Sequence, residues 1–335
     1  MGTRKLISKA VNAVATDYIG EDGELWVDTV SNLMKISDGT TAGGVAIGGG
    51  GGGGATTWAA ITDINNANGP GKVAIGRNAG SVNQGTETVA IGDDAGKTNQ
   101  GANSYALGNN AGAIDQGASS VAIGDVAASN TQGTLSVAIG ANAGTTTQGQ
   151  QAVAIGGGAG FTNQSAKAVA VGFAAGVTNQ GEDSVALGYE AGEVTQGTKA
   201  VAIGYRAGET TQGNSTVAIG DSAGETTQSQ HGVAIGALAG QTTQGESSVA
   251  IGKNAGKVNQ GSSAIAIGNL AGVNNQHNNS IVIAASGSEL ETAQTGQFMV
   301  KPVRNYSSAA ALPSGFKQVA YNPTTGEFVY YGSAG

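Results

Sequence analysis

Val73-Ala74-Ile75-Gly76-Arg77-Asn78-Ala79-Gly80-Ser81-Val82-Asn83-Gln84-Gly85-Thr86-Glu87-Thr88 is the first of thirteen sixteen-residue units that run to Ser280 without insertion or deletion. Their shared pattern is V-A-I-G-x-x-A-G-x-x-N/T-Q-G-x-x-x. Self-similarity at a fixed period marks an architecture in which each unit buries its apolar side only against its neighbours. Sixteen residues are too few for a helix pair, and glycine-bounded breaks divide each unit, so each is expected to form one lap of a parallel β-solenoid, or β-roll. V-A-I supplies the strand, with period-two alternation, β-branched residues at both ends and a closing glycine. Stacked laps set Val73 over Val89 over Tyr105 and Ile75 over Ile91 over Leu107. At about 4.8 Å per strand, thirteen laps make a shaft roughly 60 Å long.

Three columns are fixed or nearly so. The fourth position is Gly in every lap from Gly76 to Gly268, and the eighth is Gly in all but one, where Ala128 stands. Glycine at a constant phase is read as a corner that needs positive φ or close backbone approach. The twelfth position is Gln throughout, from Gln84 to Gln276. Catalysis has no use for thirteen identical glutamines, so this column is read as an amide ladder that bonds lap to lap and satisfies corner backbone groups.

The second position is Ala in all thirteen laps. A strand face turned to water would tolerate Thr, Lys or Glu, so something is expected to pack over it. With Val and Ile filling the lap's interior, the alanine column, beginning Ala74, Ala90, Ala106, Ala122 and Ala138, is expected to be a subunit interface between parallel, in-register shafts. A two-fold pair would need antiparallel shafts, so a fibre held at one end favours a homotrimer.

V-A-I-G-x-x-A resembles the head repeat of trimeric autotransporter adhesins, the YadA-like left-handed parallel β-roll. A closer resemblance is to repeat-bearing fibre proteins of bacteriophages, especially cyanophages, and of large viruses, because it extends to both ends of the chain. G-E-L-W-V-D at 23–28 followed by L-x-K-I-S-D-G-x-T-x-G-G from Leu33 is similar to a module near the start of many phage tail and fibre proteins. V-K-P-V-R-N at 300–305 and Y-N-P-T-T-G-E-F-V-Y at 321–330 resemble the closing segment of viral repeat fibres. The resemblance implies a structural, non-enzymatic virion protein that adheres to a host surface. Its implied partners are other tail or baseplate proteins and a host glycan. The alternatives are a fibre that decorates a capsid or neck without binding a receptor, and a bacterial trimeric surface adhesin.

Composition agrees with a repeat protein. Fifty-nine glycines, 4% aromatic and 11% charged residues suit neither an ordinary enzyme core nor a highly charged disordered chain. Collagen is excluded by the four prolines and by glycine off a three-residue period. The absence of cysteine removes disulfides and thiolate metal sites. A net charge of −8 argues against nucleic acid as a partner, and no apolar run approaches a membrane span. Met1 to Ala15 lacks a continuous secretory apolar segment, so assembly in a host cytoplasm and a final place on the virion are expected.

Four regions follow. Residues 1–42 are read as an attachment module, with Arg4, Lys5 and Trp26 as candidate virion contacts and a β-hairpin at Glu24–Asp28 and Leu33–Asp38. Its first residues form a short amphipathic helix or an extended arm. Residues 43–72 are a glycine-rich linker and cap, in which seven consecutive glycines serve as a hinge or as a side-chain-free strand at an oligomer axis. The shaft occupies 73–280. Residues 281–335 are a cap and a hairpin tip turned on Asn322-Pro323-Thr324-Thr325-Gly326.

Function is sought at the variable positions. Phe173, Tyr189 and Tyr205 share the fifth position of three successive laps, where they form a platform for a glycan or a stack among themselves. Tyr321, Phe328, Tyr330 and Tyr331 give the tip a second candidate contact. Glu193, Glu209 and Glu225 share the ninth position and form a solvated acidic face or a weak cation site. His231 and His277 stand near no recognisable nucleophile motif, so no cofactor, metal or catalytic residue is assigned. Carboxylates paired across laps, as in a depolymerase, are not singled out by any pattern.

Overall fold

The computed structural model describes residues 25–28, 33–37, 40, 45–46, 71–303, 318–322 and 327–331. Its centre is a parallel β-solenoid without helices among the described residues. A fifteen-stranded sheet starts at Val73–Ile75, takes one strand from every lap, and ends with Ile281–Ala284 and Phe298–Lys301. Its register advances by sixteen residues, with Val73 opposite Val89, Val89 opposite Tyr105, and Ile91 opposite Leu107.

A second sheet, not read from the sequence, has nine strands from Ile114–Gln116 to Thr243–Gln244 and carries the glutamines. Isolated bridges at Val82, Thr98, Val258 and Asn274 carry the same pairing towards the ends. Each lap is thus two short strands of two or three residues joined by tight corners.

The alternation of V-A-I is present, but its faces are the reverse of the expected ones. Ala90, Ala106, Ala122 and Ala138 are fully buried and Ala74 nearly so, within a single chain. These alanines line the interior and cannot be a subunit interface. A second alanine column, from Ala95 and Ala111 to Ala271, completes the apolar core with them. The sixteenth position adds small residues such as Ser104, Ser120, Ala152 and Ala200, all fully buried. On the strand's inner face methyl groups fill the lumen opposite the glutamines. Val and Ile stand outside on the pleated surface, where β-branched residues pack along their own columns.

The largest fully buried side chains of the laps are the glutamines. From Gln100 to Gln276 each reaches across the lumen to the first strand of its own lap. Gln180 Nε2 donates to Val169 O at 2.8 Å and to Gln196 Oε1 in the next lap at 3.1 Å, while Gln164 Nε2 donates to Gln180 Oε1 at 3.0 Å. The amide ladder therefore exists, and it ties the two sheets together as well as lap to lap. Buried serines are satisfied locally, as in the 2.6 Å bond from Ser184 Oγ to Gly181 O.

The ladder is interrupted between Gln100 and Gln132, and the second of the two missing rungs lies in the lap where Ala128 replaces glycine at the eighth position. Glycine there has φ near +55°, and a Cβ on Gly112 would lie 2.8 Å from the Gln116 amide carbon. Ala128 carries that methyl at φ +46°, and the buried Gln116 Oε1 and Gln132 Oε1 accept no hydrogen bond. Relief of the left-handed alanine and recovery of at least one amide bond outweigh the extra backbone entropy of glycine. Ala128→Gly is expected to stabilise the chain by about 1–2 kcal/mol. A urea midpoint equal to or below that of the unchanged chain would refute the assignment.

The last laps are plugged rather than repeated. Val282 takes the place of the inner alanine, Leu290 is buried beside it, and Met299 packs on the same cluster. Two hairpins lie outside the solenoid. Leu25–Asp28 pairs antiparallel with Leu33–Ile36, to which Val45–Ala46, the isolated echo of the repeat, adds a third strand. Gln318–Asn322 pairs antiparallel with Glu327–Tyr331. The polyglycine run lies outside the described residues.

Candidate functional site

The corner after the fourth-position glycine projects the fifth and sixth residues of each lap. Because laps stack in register, residues sixteen apart are neighbours there. Phe173 and Tyr189 stack with ring centroids 5.5 Å apart and 18° between planes, and Tyr189 and Tyr205 at 5.3 Å and 9°. The rings are 60%, 43% and 49% exposed. Below the ladder the Phe173 ring lies close over Gly157, where a Cβ would come within 3.3 Å of it. At the other end the Arg206 guanidinium sits 5.3 Å from the Tyr205 centroid, within cation–π range.

Charges sit beside the rings. Arg206 Nε donates to Glu190 Oε2 at 2.8 Å across one lap and lies 3.7 Å from Glu209 Oε2. Glu190, Glu193 and Glu209 bring carboxylate oxygens within 4.8 Å of one another. Partial burial pushes the Glu193 carboxyl up, and the Glu190 charge adds to the shift. Burial also raises Glu209; Arg206 opposes this, and Glu225 and Glu193 reinforce it. A hydrogen bond to Glu190 raises the Tyr189 hydroxyl. Arg206 already supplies a positive charge to this acidic group, so its arrangement is that of a cross-lap ion-pair network.

Of the other candidates, Trp26 lies opposite Lys35 in the N-terminal sheet, and Arg4 and Lys5 fall outside the described residues. The C-terminal register sets Tyr321 opposite Phe328, Val319 opposite Tyr330 and Gln318 opposite Tyr331. His277 Nδ1 lies 3.0 Å from Thr292 Oγ1, where it joins the last lap to the plug.

Sequence reading missed the cross-lap pairs at the fifth and sixth positions. Arg77 with Asp93 and Asn78 with Asp94 bond across laps as Arg206 does with Glu190. Complementary residues at a spacing of sixteen were the available signal.

The feature missed with the greatest consequence is the outer face of the fifteen-stranded sheet. Val at the first position is half-buried throughout, and Ile91, Ile123, Ile155, Ile235, Ile251 and Ile267 at the third are 37–38% exposed. Two apolar columns thus face outward along every lap. At roughly 50 Å² per side chain they expose on the order of 1,000 Å², beyond the few hundred Å² usual for a monomer.

Fold and surface together define a parallel β-solenoid repeat protein with one apolar face and a short aromatic ladder. No family model, no curated protein and no solved structure matches the chain.

Proposed function

We propose that the chain is the structural subunit of a homotrimeric viral fibre, joined to the virion through its N-terminal part and used for adhesion to a host surface. The observation that carries this reading is the Val/Ile face, which continues through all the laps and is large enough for a stable interface. Three parallel shafts around an axis cover it completely, and all three N-terminal ends then meet the particle together. The interface of the earlier expectation is thereby moved from the alanines to the valines and isoleucines.

Contact with the host is assigned to the Phe173–Tyr205 ladder and the C-terminal hairpin. The decorating-fibre alternative draws on one observation: the rings already stack on one another, which leaves less of each face for a sugar.

Light scattering on the purified protein is expected to give about three times 32.5 kDa. Placing glutamate at both Ile139 and Ile203 is expected to give single chains with β-rich circular dichroism retained. A single-chain mass for the unchanged protein refutes the trimer. Replacing Phe173, Tyr189 and Tyr205 by serine, or deleting residues 318–335, is expected to lower adsorption to the host at least tenfold. Unchanged adsorption in both favours the decorating fibre.

A further inference from the structure

A repetitive interface has a register problem. Every lap offers nearly the same Val and Ile, so shafts slipped by one lap, roughly 4.8 Å, would bury almost the same surface. Register is weakly specified wherever the pattern repeats without markers.

One lap breaks the degeneracy at both outward positions at once. In Tyr105-Ala106-Leu107 the inner alanine is kept and fully buried, while Tyr105 stands in the Val column, 46% exposed, and Leu107 in the Ile column. Elsewhere in the thirteen laps a single outward position changes, as at Val171, Leu187 and Ile265.

We infer that the Tyr105/Leu107 lap is the register key of the assembly, a surface that fits the same lap of a second copy of this chain. The inference rests on the trimer proposed above. A three-fold interface is heterologous, so the first-position column of one chain meets the third-position column of the next. In register, Tyr105 of one chain lies on Leu107 of its neighbour, where a γ-branched side chain is narrower near the backbone than isoleucine and leaves room for the ring. Slipped by one lap, Tyr105 meets a β-branched isoleucine instead, and Leu107 of the neighbour faces a valine across the vacated space. Both mismatches oppose the slip, and they arise at both interfaces of a slipped chain.

The chain has no cysteine, so Lys253→Cys at an exposed corner carries one spin label per chain. In register, the labels form an equilateral triangle and pulsed dipolar spectroscopy gives one narrow distance. Tyr105→Val with Leu107→Ile makes this lap identical in type to the others and preserves folding. The double variant is expected to keep the trimer mass while the single distance is replaced by several, with axial offsets in multiples of roughly 4.8 Å. A trimer whose narrow distance is unchanged overturns the key alone. A single-chain mass before any substitution overturns the key together with the trimer beneath it.

Discussion

Gln180→Glu is expected to be tolerated near pH 4 and to cost about 4–5 kcal/mol more by pH 8. Gln180 has no exposed surface. Its oxygen receives the Gln164 amide, and its nitrogen donates both to Val169 O and to Gln196 Oε1. A carboxyl group in its place keeps the first bond but turns its second oxygen towards two acceptors. Only the protonated form can donate there. Burial also disfavours the charge, so the folded-state pKa rises several pH units above the unfolded value near 4.3, at about 1.4 kcal/mol per unit.

The sign follows from proton linkage. Below the unfolded pKa both states hold the proton and the substitution costs about 1 kcal/mol, since the single carboxyl O–H serves one of the two acceptors. As pH rises the unfolded chain releases its proton first, and stability falls until the folded-state pKa is reached. Gln180→Leu, which leaves Gln196 Oε1 without its donor, is expected to cost about 2–3 kcal/mol at every pH. Urea midpoints of both variants from pH 4 to pH 8 measure the difference. Parallel losses in the two would show that the ladder is open to water and that its hydrogen bonds are not what closes each lap.

This buried ladder marks how far the fold was legible in the chain. The lap length, the strand at V-A-I, its register and the paired amides all follow from residues held at constant phase, and the structure has each of them. Which face of V-A-I points inward did not follow, because alternation says only that Ala and Val/Ile lie on opposite sides. The deciding quantity is the lumen width. Alanine at the seventh position and small residues at the sixteenth, such as Ser104 and Ala152, carried that information, since a wide interior would need larger partners opposite the strand. The second sheet was hidden because Asp115, Thr131, Thr147, Asn163 and Asn179 adopt φ near +55° inside it, which breaks the alternation by which strands are read. The aromatic ladder was visible from its phase alone. Its junction with Arg206 and Glu190 required comparing sixth positions across laps, and there the opposite charges at a spacing of sixteen were the readable sign.

Gly156→Ala is expected to cost roughly 3–5 kcal/mol, whereas Gly158→Asn, two residues later in the same lap, is expected to change stability by no more than about 1 kcal/mol. Both glycines have positive φ, +127° and +68°, so φ alone does not separate them. Space does. A Cβ on Gly156 would lie 2.4 Å from Gly172 O, a backbone atom of the next lap that is itself fixed in the stack, while a Cβ on Gly158 would meet nothing within 4 Å.

The conformation at Gly158 is the left-handed one that Asn78, Asn110, Asn142 and Asn254 adopt at the same phase, and asparagine enters that region at little cost. The wider φ at Gly156 is a region that side chains rarely enter, and relieving its clash means moving two laps apart. Because each lap contacts only its neighbours, the damage should appear first as faster amide exchange in the laps around residue 156, before any global loss. Equal effects of the two substitutions would mean that the fourth-position glycine is kept for its backbone freedom and not because the next lap's carbonyl occupies the place of a side chain.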